Sequence, residues 1–230
     1  MLRVGLTGGL GSGKSTIGLM LAQRGAYLLQ ADEIARELMQ PGEAVYDGIV
    51  THFGNNVVQA DGQLDRAALA KIAFAEGRVE ELNAIVHPAT IAEQAAIAAE
   101  IAEEEPAAVV VVESALLFET KHGAAAGGDP AAPWRSRFDC IVLAVASEET
   151  KIERYLARAA GDTPVTPERR AELTAEAKRR LAQQMPDTEK ERLADFIVPN
   201  NGSMEELEDL VDELWPMLEF AARNTPQAAE

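Results

Sequence analysis

The chain has 230 residues, and 47% of them are hydrophobic, too many for a disordered acidic polymer and enough for one real core with insertions. Its 21 Lys and Arg against 38 Asp and Glu leave a net charge of −17. That balance excludes a generic nucleic-acid binder, which needs basic surface to displace counterions from phosphates, and it disfavours an anionic membrane surface.

The first predicted strand, Arg3 to Thr7, starts almost at the amino terminus, without the long apolar segment and small-residue cleavage site of a secretory signal. No apolar stretch approaches the ~20 residues that span a bilayer, so the expectation is a cytoplasmic protein. Directly after that strand, Gly8-Gly9-Leu10-Gly11-Ser12-Gly13-Lys14-Ser15 fits G-x-x-x-x-G-K-[ST], and a helix over Lys14 to Arg24, stopped by Gly25, follows at once. Glycines let successive N–H groups turn towards phosphate oxygens, and the helix adds its positive end. The segment Gly9, Leu10, Gly11, Ser12, Gly13, Lys14, Ser15 and Thr16 is therefore the predicted triphosphate site, with Lys14 at the β and γ phosphates and the Ser15 hydroxyl on Mg²⁺. A dinucleotide site is excluded because no G-x-G-x-x-G register exists here, and the D-x-x-G and N-K-x-D motifs of a GTPase are absent. A small-molecule kinase using ATP and Mg²⁺ leads.

A second strand, Ala26 to Ala31, runs into Asp32. Ligands in a doubly wound sheet gather at the carboxyl ends of strands, so Asp32 faces the phosphate loop and can take a proton from an attacking hydroxyl. The alternative is that Asp32 caps the helix Glu33 to Met39. Some seventy residues then precede the third strand, Val109 to Glu113, with helical stretches at Arg66 to Phe74, Val79 to Val86 and Pro88 to Glu105 and a turn-rich segment at Asn55 to Gly62. They read as an inserted helical subdomain, 33–106, in which Pro88 opens a helix at its first position. Glu113 either holds a metal-bound water or caps a turn.

Gly123 to Pro133 is rich in Ala, Gly and Pro and reads as a surface loop. The fourth strand, Cys140 to Val145, opens on the only cysteine, a reduced and buried structural thiol by expectation. A long connection, 148–193, carries helical pattern broken at Gly161-Asp162-Thr163-Pro164, and residues 151–192 hold ten basic against eight acidic side chains. Cations gathered there in an acidic protein suit a mobile segment that meets phosphates. The fifth strand is Phe196 to Pro199. Runs without polar alternation, separated by helices, define the fold class: α/β, a doubly wound five-stranded parallel sheet in one domain over 1–230.

From the phosphate loop through Ala31-Asp32-Glu33-Ile34-Ala35-Arg36, the chain resembles the dephospho-CoA kinase family. The series continues through Phe53-Gly54, Asp61 to Arg66, Phe74, His87-Pro88, Leu116-Leu117-Phe118-Glu119, Arg154 with Arg158, Arg180 with Gln184, and Ala194-Asp195 before Asn200 and Gly202. The resemblance implies phosphorylation of the ribose 3′-hydroxyl of dephospho-CoA by ATP, a helical acceptor insertion and a lid. It implies that Asp32 is the general base, that Arg154 and Arg158 contact phosphates, and that Asn200, Asn201 and Gly202 lie near adenine. It places Arg66, His87, Leu116 and Glu119 with Asp32 on the acceptor side. His87 is equally a hydrogen-bonded packing residue, and Arg66 a partner for Asp65. The chain departs from the family pattern at Ala115, where a proline is usual, at Gln30, often acidic, at Thr150 or Lys151, where a Gln is expected, and in the length of Gly123 to Arg137. The rival readings are a kinase of another small metabolite or nucleoside monophosphate, and a non-catalytic nucleotide-binding regulator. The partners implied are ATP and dephospho-CoA, with no nucleic acid and no membrane, and the oligomeric state stays open.

Overall fold

Four consecutive valines, Val109 to Val112, are buried on both faces of their strand, a position where β-branched side chains lose little freedom on packing. In the computed structural model, which describes residues 1–120, 133–161 and 164–225, this strand is flanked on both sides. The strands are β1 (Leu2–Gly8), β2 (Tyr27–Gln30), β3 (Val109–Glu113), β4 (Cys140–Val145) and β5 (Phe196–Pro199). They form one parallel sheet in the order β2-β3-β1-β4-β5, the doubly wound arrangement expected from the sequence.

The helices are α1 (Lys14–Gln23), α2 (Ala31–Leu38), α3 (Ala44–Phe53), α4 (Arg66–Ala70), α5 (Val79–Glu104), α6 (Glu148–Ala160), α7 (Pro167–Ala182), α8 (Asp187–Lys190) and α9 (Met204–Asn224). On one face of the sheet, Val4, Leu6, Val111 and Val142 share a core with Ile17 and Leu21 of α1 and with Leu207, Val211, Leu214 and Leu218 of α9. Those α9 residues recur at helical spacing, and each fully buried aliphatic contributes about 1.5–3 kcal/mol. The helix opens with a capping box: Ser203 Oγ accepts from the Glu206 amide at 3.1 Å while Glu206 Oε2 accepts from the Ser203 amide at 2.8 Å. The opposite face is covered by Ala98 of α5 and by Leu117, Phe118, Trp134 and Phe138.

Between β2 and β3, helices α2 to α5 build a cluster of their own around Val45, Ile49, Phe53, Val57, Leu69, Ile72 and Val86. The α6–α8 segment has another, Ile152, Tyr155, Leu156, Leu173 and Ala177, against which Leu10 of the phosphate loop packs. No helix among the described residues is long and apolar enough to cross a membrane.

Four local expectations are corrected. Pro88 does not open a helix: it lies inside α5, which runs unbroken from Val79 to Glu104. A proline forfeits one amide bond and crowds the carbonyl four residues back, but α5 is held from both ends by its packing on α2, α3 and the sheet. Asp32 is not a cap, because the helix starts two residues earlier than expected, at Ala31, with Gln30 in the capping position. The stretch Arg66 to Phe74 is α4 followed by a π-helical turn, Lys71–Ala75, rather than one helix. Cys140 is only partly buried, yet burial, with Asp195 and Asp139 nearby, pushes its thiol up to about 12. Most of the Gly123 to Pro133 loop, and Asp162 and Thr163 of the break after α6, lie outside the described residues.

Candidate active site

All five strands point their carboxyl ends the same way, so their exits converge on one edge of the sheet. The register pairs Leu6 and Gln30 with Glu113 on its two sides, and Gly8 with Ala144. The loop after β1 therefore opens beside the ends of β2, β3 and β4.

That loop wraps because of its glycines. Gly11 and Gly13 have φ of +74° and +90°, values that penalise any Cβ. Added Cβ atoms would also collide, at Gly11 with the Lys151 carbonyl and at Gly13 with the Asn200 amide. Gly13 hands over to α1, whose first amides, Lys14 and Ser15 among them, have no intrahelical acceptor and lie open to phosphate oxygens.

Glu113, at the end of β3, is buried at the centre of the site. Its Oε1 accepts from Ser15 Oγ at 2.6 Å and lies 3.7 Å from Lys14 Nζ, and its Oε2 accepts from Gln30 Nε2 at 2.9 Å. Of the two readings of Glu113, its bonds do not make it a turn cap: it joins the hydroxyl and ammonium of the phosphate loop to the exit of β2. Gln30, the departure from an acidic residue, fits there because an amide can donate to Glu113 where a second carboxylate would repel it.

The loop is tied from the other side by Asn200, also buried. Its Nδ2 donates to the Ser12 carbonyl at 2.9 Å, and Arg154 donates to its carbonyl at 2.9 Å and its Oδ1 at 3.1 Å. Asn201 Oδ1 accepts from the Ser147 amide at 2.7 Å, and Asn200, Asn201 and Gly202 line a cavity of about 350 Å³ against the start of α9. Arg158 is exposed one turn beyond Arg154 on α6. The α7–α8 junction also reaches the loop: Gln184 Oε1 accepts from the Leu10 amide at 3.0 Å, and the buried Lys151 ammonium pairs with Asp187.

Asp32 is exposed at the first turn of α2 and lines a second cavity, of about 530 Å³, between α2, α5 and the segment after β3. His87 and Leu116 line it too, as do Gln94, Arg137 and Arg180. Two of the expected acceptor residues do not. Arg66 is exposed at the start of α4, and its neighbour Asp65 is committed to capping that helix through the Ala67 and Ala68 amides. Glu119 Oε1 accepts from the Met185 amide at 2.9 Å and lies 3.1 Å from Lys190, a fully buried ammonium, so it anchors α8 rather than facing the cavity. Arg137 carries no motif and is found only by its position in the fold.

The donor set can be tested for a metal. Ser15 Oγ and the Glu113 carboxylate are hard oxygen donors side by side, and no cluster of three or more His, Cys, Asp or Glu able to cage an ion exists among the described residues. Mg²⁺ needs no such cage, since it keeps water and substrate phosphates as most of its ligands. The residues fit it as a nucleotide-borne ion.

A glycine cradle at the end of the central strand, backed by a helix start and facing a second cavity with an exposed carboxylate, defines the class of small-molecule P-loop kinases. The family model for dephospho-CoA kinase (CoaE) matches residues 2–206. The chain belongs to that family. It is 36% identical over 208 residues to the dephospho-CoA kinase of Corynebacterium glutamicum, covering 90% of this chain and 92% of that one. With the dephospho-CoA kinase of Leifsonia xyli the identity is 37% over 216 residues, 94% and 98% of the two chains. The crystal structure of TT1252 from Thermus thermophilus matches with a TM-score of 0.70 at 28% identity, covering 94% and 97%.

Proposed function

We propose that this protein transfers the γ phosphoryl group of ATP to the ribose 3′-hydroxyl of dephospho-CoA, giving CoA and ADP. The observation that carries the reading is the placement of Asp32: it lines the 530 Å³ cavity at the same sheet edge as the phosphate loop. Asp32 takes the proton as the hydroxyl oxygen attacks the γ phosphorus, and the bond to the β–γ bridging oxygen breaks, leaving ADP. Lys14 and the amides of Gly9 to Thr16 hold the triphosphate in line, and Lys14 meets the charge that shifts to the leaving oxygen. Mg²⁺ bound with ATP would neutralise the β and γ oxygens, held on the protein side by Ser15. Glu113 orients the Ser15 hydroxyl for that contact.

Asn200, Asn201 and Gly202 form the floor for the base, while Arg154 and Arg158 serve the phosphates as the cationic face of a lid over 148–193. The helical insertion 33–106 holds the acceptor with His87 on its wall, and Leu116, after β3, lines the same cavity. All of this is one domain over 1–230, acting in the cytoplasm on small anions. Arg66 and Glu119 act at a distance from the chemistry, as a surface residue and a lid anchor.

A coupled ADP-release assay offering dephospho-CoA, shikimate, gluconate and nucleoside monophosphates tests the reading. Dephospho-CoA is the expected preferred acceptor, and a preference for any other overturns it. Asp32→Asn should keep ATP binding and lose transfer by about 10²–10⁴-fold; equal loss of both would make Asp32 structural.

A further inference from the structure

Arg137, two residues before the end of the loop that leads into β4, is a half-buried guanidinium with no counter-ion among the described residues. Its Nη2 makes one long bond, 3.3 Å, to the neutral Gln94 Oε1, and its carbon lies 4.9 Å from the Phe138 ring centroid. Several other arginines do have a carboxylate partner: Arg3 with Asp139 at 2.7 Å, Arg24 with Asp212 at 2.7 Å, Arg180 with Glu176 at 2.8 Å. Among the described residues no carboxylate is within ion-pair distance of Arg137, and burial lowers its guanidinium to about 10, which still leaves it charged in neutral solution. Withdrawing a charge from water without a partner is costly, and a guanidinium, unlike an amine, seldom escapes by losing its proton. Arg137 bears that cost on the wall of the Asp32 cavity, where the charged lining is Asp32, Arg137 and Arg180.

We propose that Arg137, oriented by Gln94, is the anion-binding group of the acceptor cavity and takes the diphosphate of the acceptor while Asp32 takes its hydroxyl. This rests on the reading that the acceptor is dephospho-CoA. The planar fork of a guanidinium matches phosphate oxygens in pairs, so it selects acceptors that carry a diphosphate over bare nucleosides.

The test uses the full chain with Arg137→Gln and Arg137→Lys, and dephospho-CoA and adenosine as acceptors. Arg137→Gln should raise KM for dephospho-CoA about tenfold or more, leave KM for ATP within about twofold, and cut the preference for dephospho-CoA over adenosine by a similar factor. Arg137→Lys should recover part of that preference. Without ligand, Arg137→Gln should melt at the wild-type temperature or above, since an uncompensated buried charge has gone. An unchanged KM for dephospho-CoA overturns the proposal, and so does a lowered Tm with both KM values rising together, which marks a packing residue. Wild-type protein inert towards dephospho-CoA would instead overturn the parent reading.

Discussion

Ser15 and Glu113 are joined by a 2.6 Å hydrogen bond across the gap between the loop after β1 and the end of β3. The same carboxylate takes a second bond from Gln30 at 2.9 Å and stands 3.7 Å from Lys14. Three strands thus meet at one buried charge, which fixes the direction of the hydroxyl that faces the metal-bound triphosphate. Glu113→Gln preserves shape and hydrogen bonding, because both amides can turn, and removes only the charge. Partners that orient metal-binding groups typically matter by about 10–100-fold. Half-saturation in a Mg²⁺ titration at fixed ATP should rise by that order, with the melting temperature nearly unchanged. An unaltered Mg²⁺ dependence would show that Glu113 serves the fold alone.

Lys14 contributes little to holding the structure, since Glu113 keeps its bonds to Ser15 and Gln30 when the ammonium is gone. Its work is on the phosphates. Lys14→Ala should cut kcat by about 10²–10³-fold or more, the scale of losing a preorganised donor aimed at developing charge. The melt should stay within a few degrees of wild type. Turnover close to wild type in the ADP-release assay would refute the assignment.

The sheet and the phosphate loop were legible because their signals are local: apolar runs without alternation mark the strands, and the glycine spacing marks the cradle between strand and helix. Asp32 could be placed at its strand end for the same reason. Pro88 misled because a proline reads as a helix start, and only the contacts of α5 on both sides carry the helix through it. Helix α3 does carry a local signal, since Val45, Ile49 and Phe53 recur every four residues and are all buried. Glu119 and Arg137 were beyond reach: whether a charge meets Lys190, or only the neutral Gln94, depends on chain segments far apart in sequence.

Asn200 ties β5, α6 and the phosphate loop together through the Ser12 carbonyl and Arg154. Asn200→Ala would strand the Ser12 carbonyl and take from Arg154 its bond to Oδ1, leaving the one to the main-chain carbonyl of residue 200. A buried partner left unsatisfied costs about 1–3 kcal/mol, so the midpoint of urea unfolding should fall accordingly with an unchanged slope. KM for ATP should rise at the same time, because the loop loses its brace on the base side. Loss of stability with an unchanged KM for ATP would separate Asn200 from nucleotide binding.

Arg3 of β1 grips Asp139, just before β4, with three donors: its amide at 2.8 Å, Nε at 3.1 Å and Nη2 at 2.7 Å. Burial pushes the Asp139 carboxyl up, but the Arg3 bonds and charge outweigh it and hold the group below its ordinary 3.8. A carboxylate whose folded value is depressed adds stability that is fully present above its unfolded value and is lost as pH falls towards the folded one. Asp139→Asn should therefore melt lower than wild type at about pH 7, by the modest amount that a solvent-screened ion pair contributes, about 0.2–1 kcal/mol. The gap should close on acidification, starting near the unfolded carboxylate value of about 3.9. Paired thermal melts of the two proteins from about pH 7 to pH 3 check the sign: a gap that stays constant, or widens, as the pH drops would mean that the pair is held by packing and not by charge.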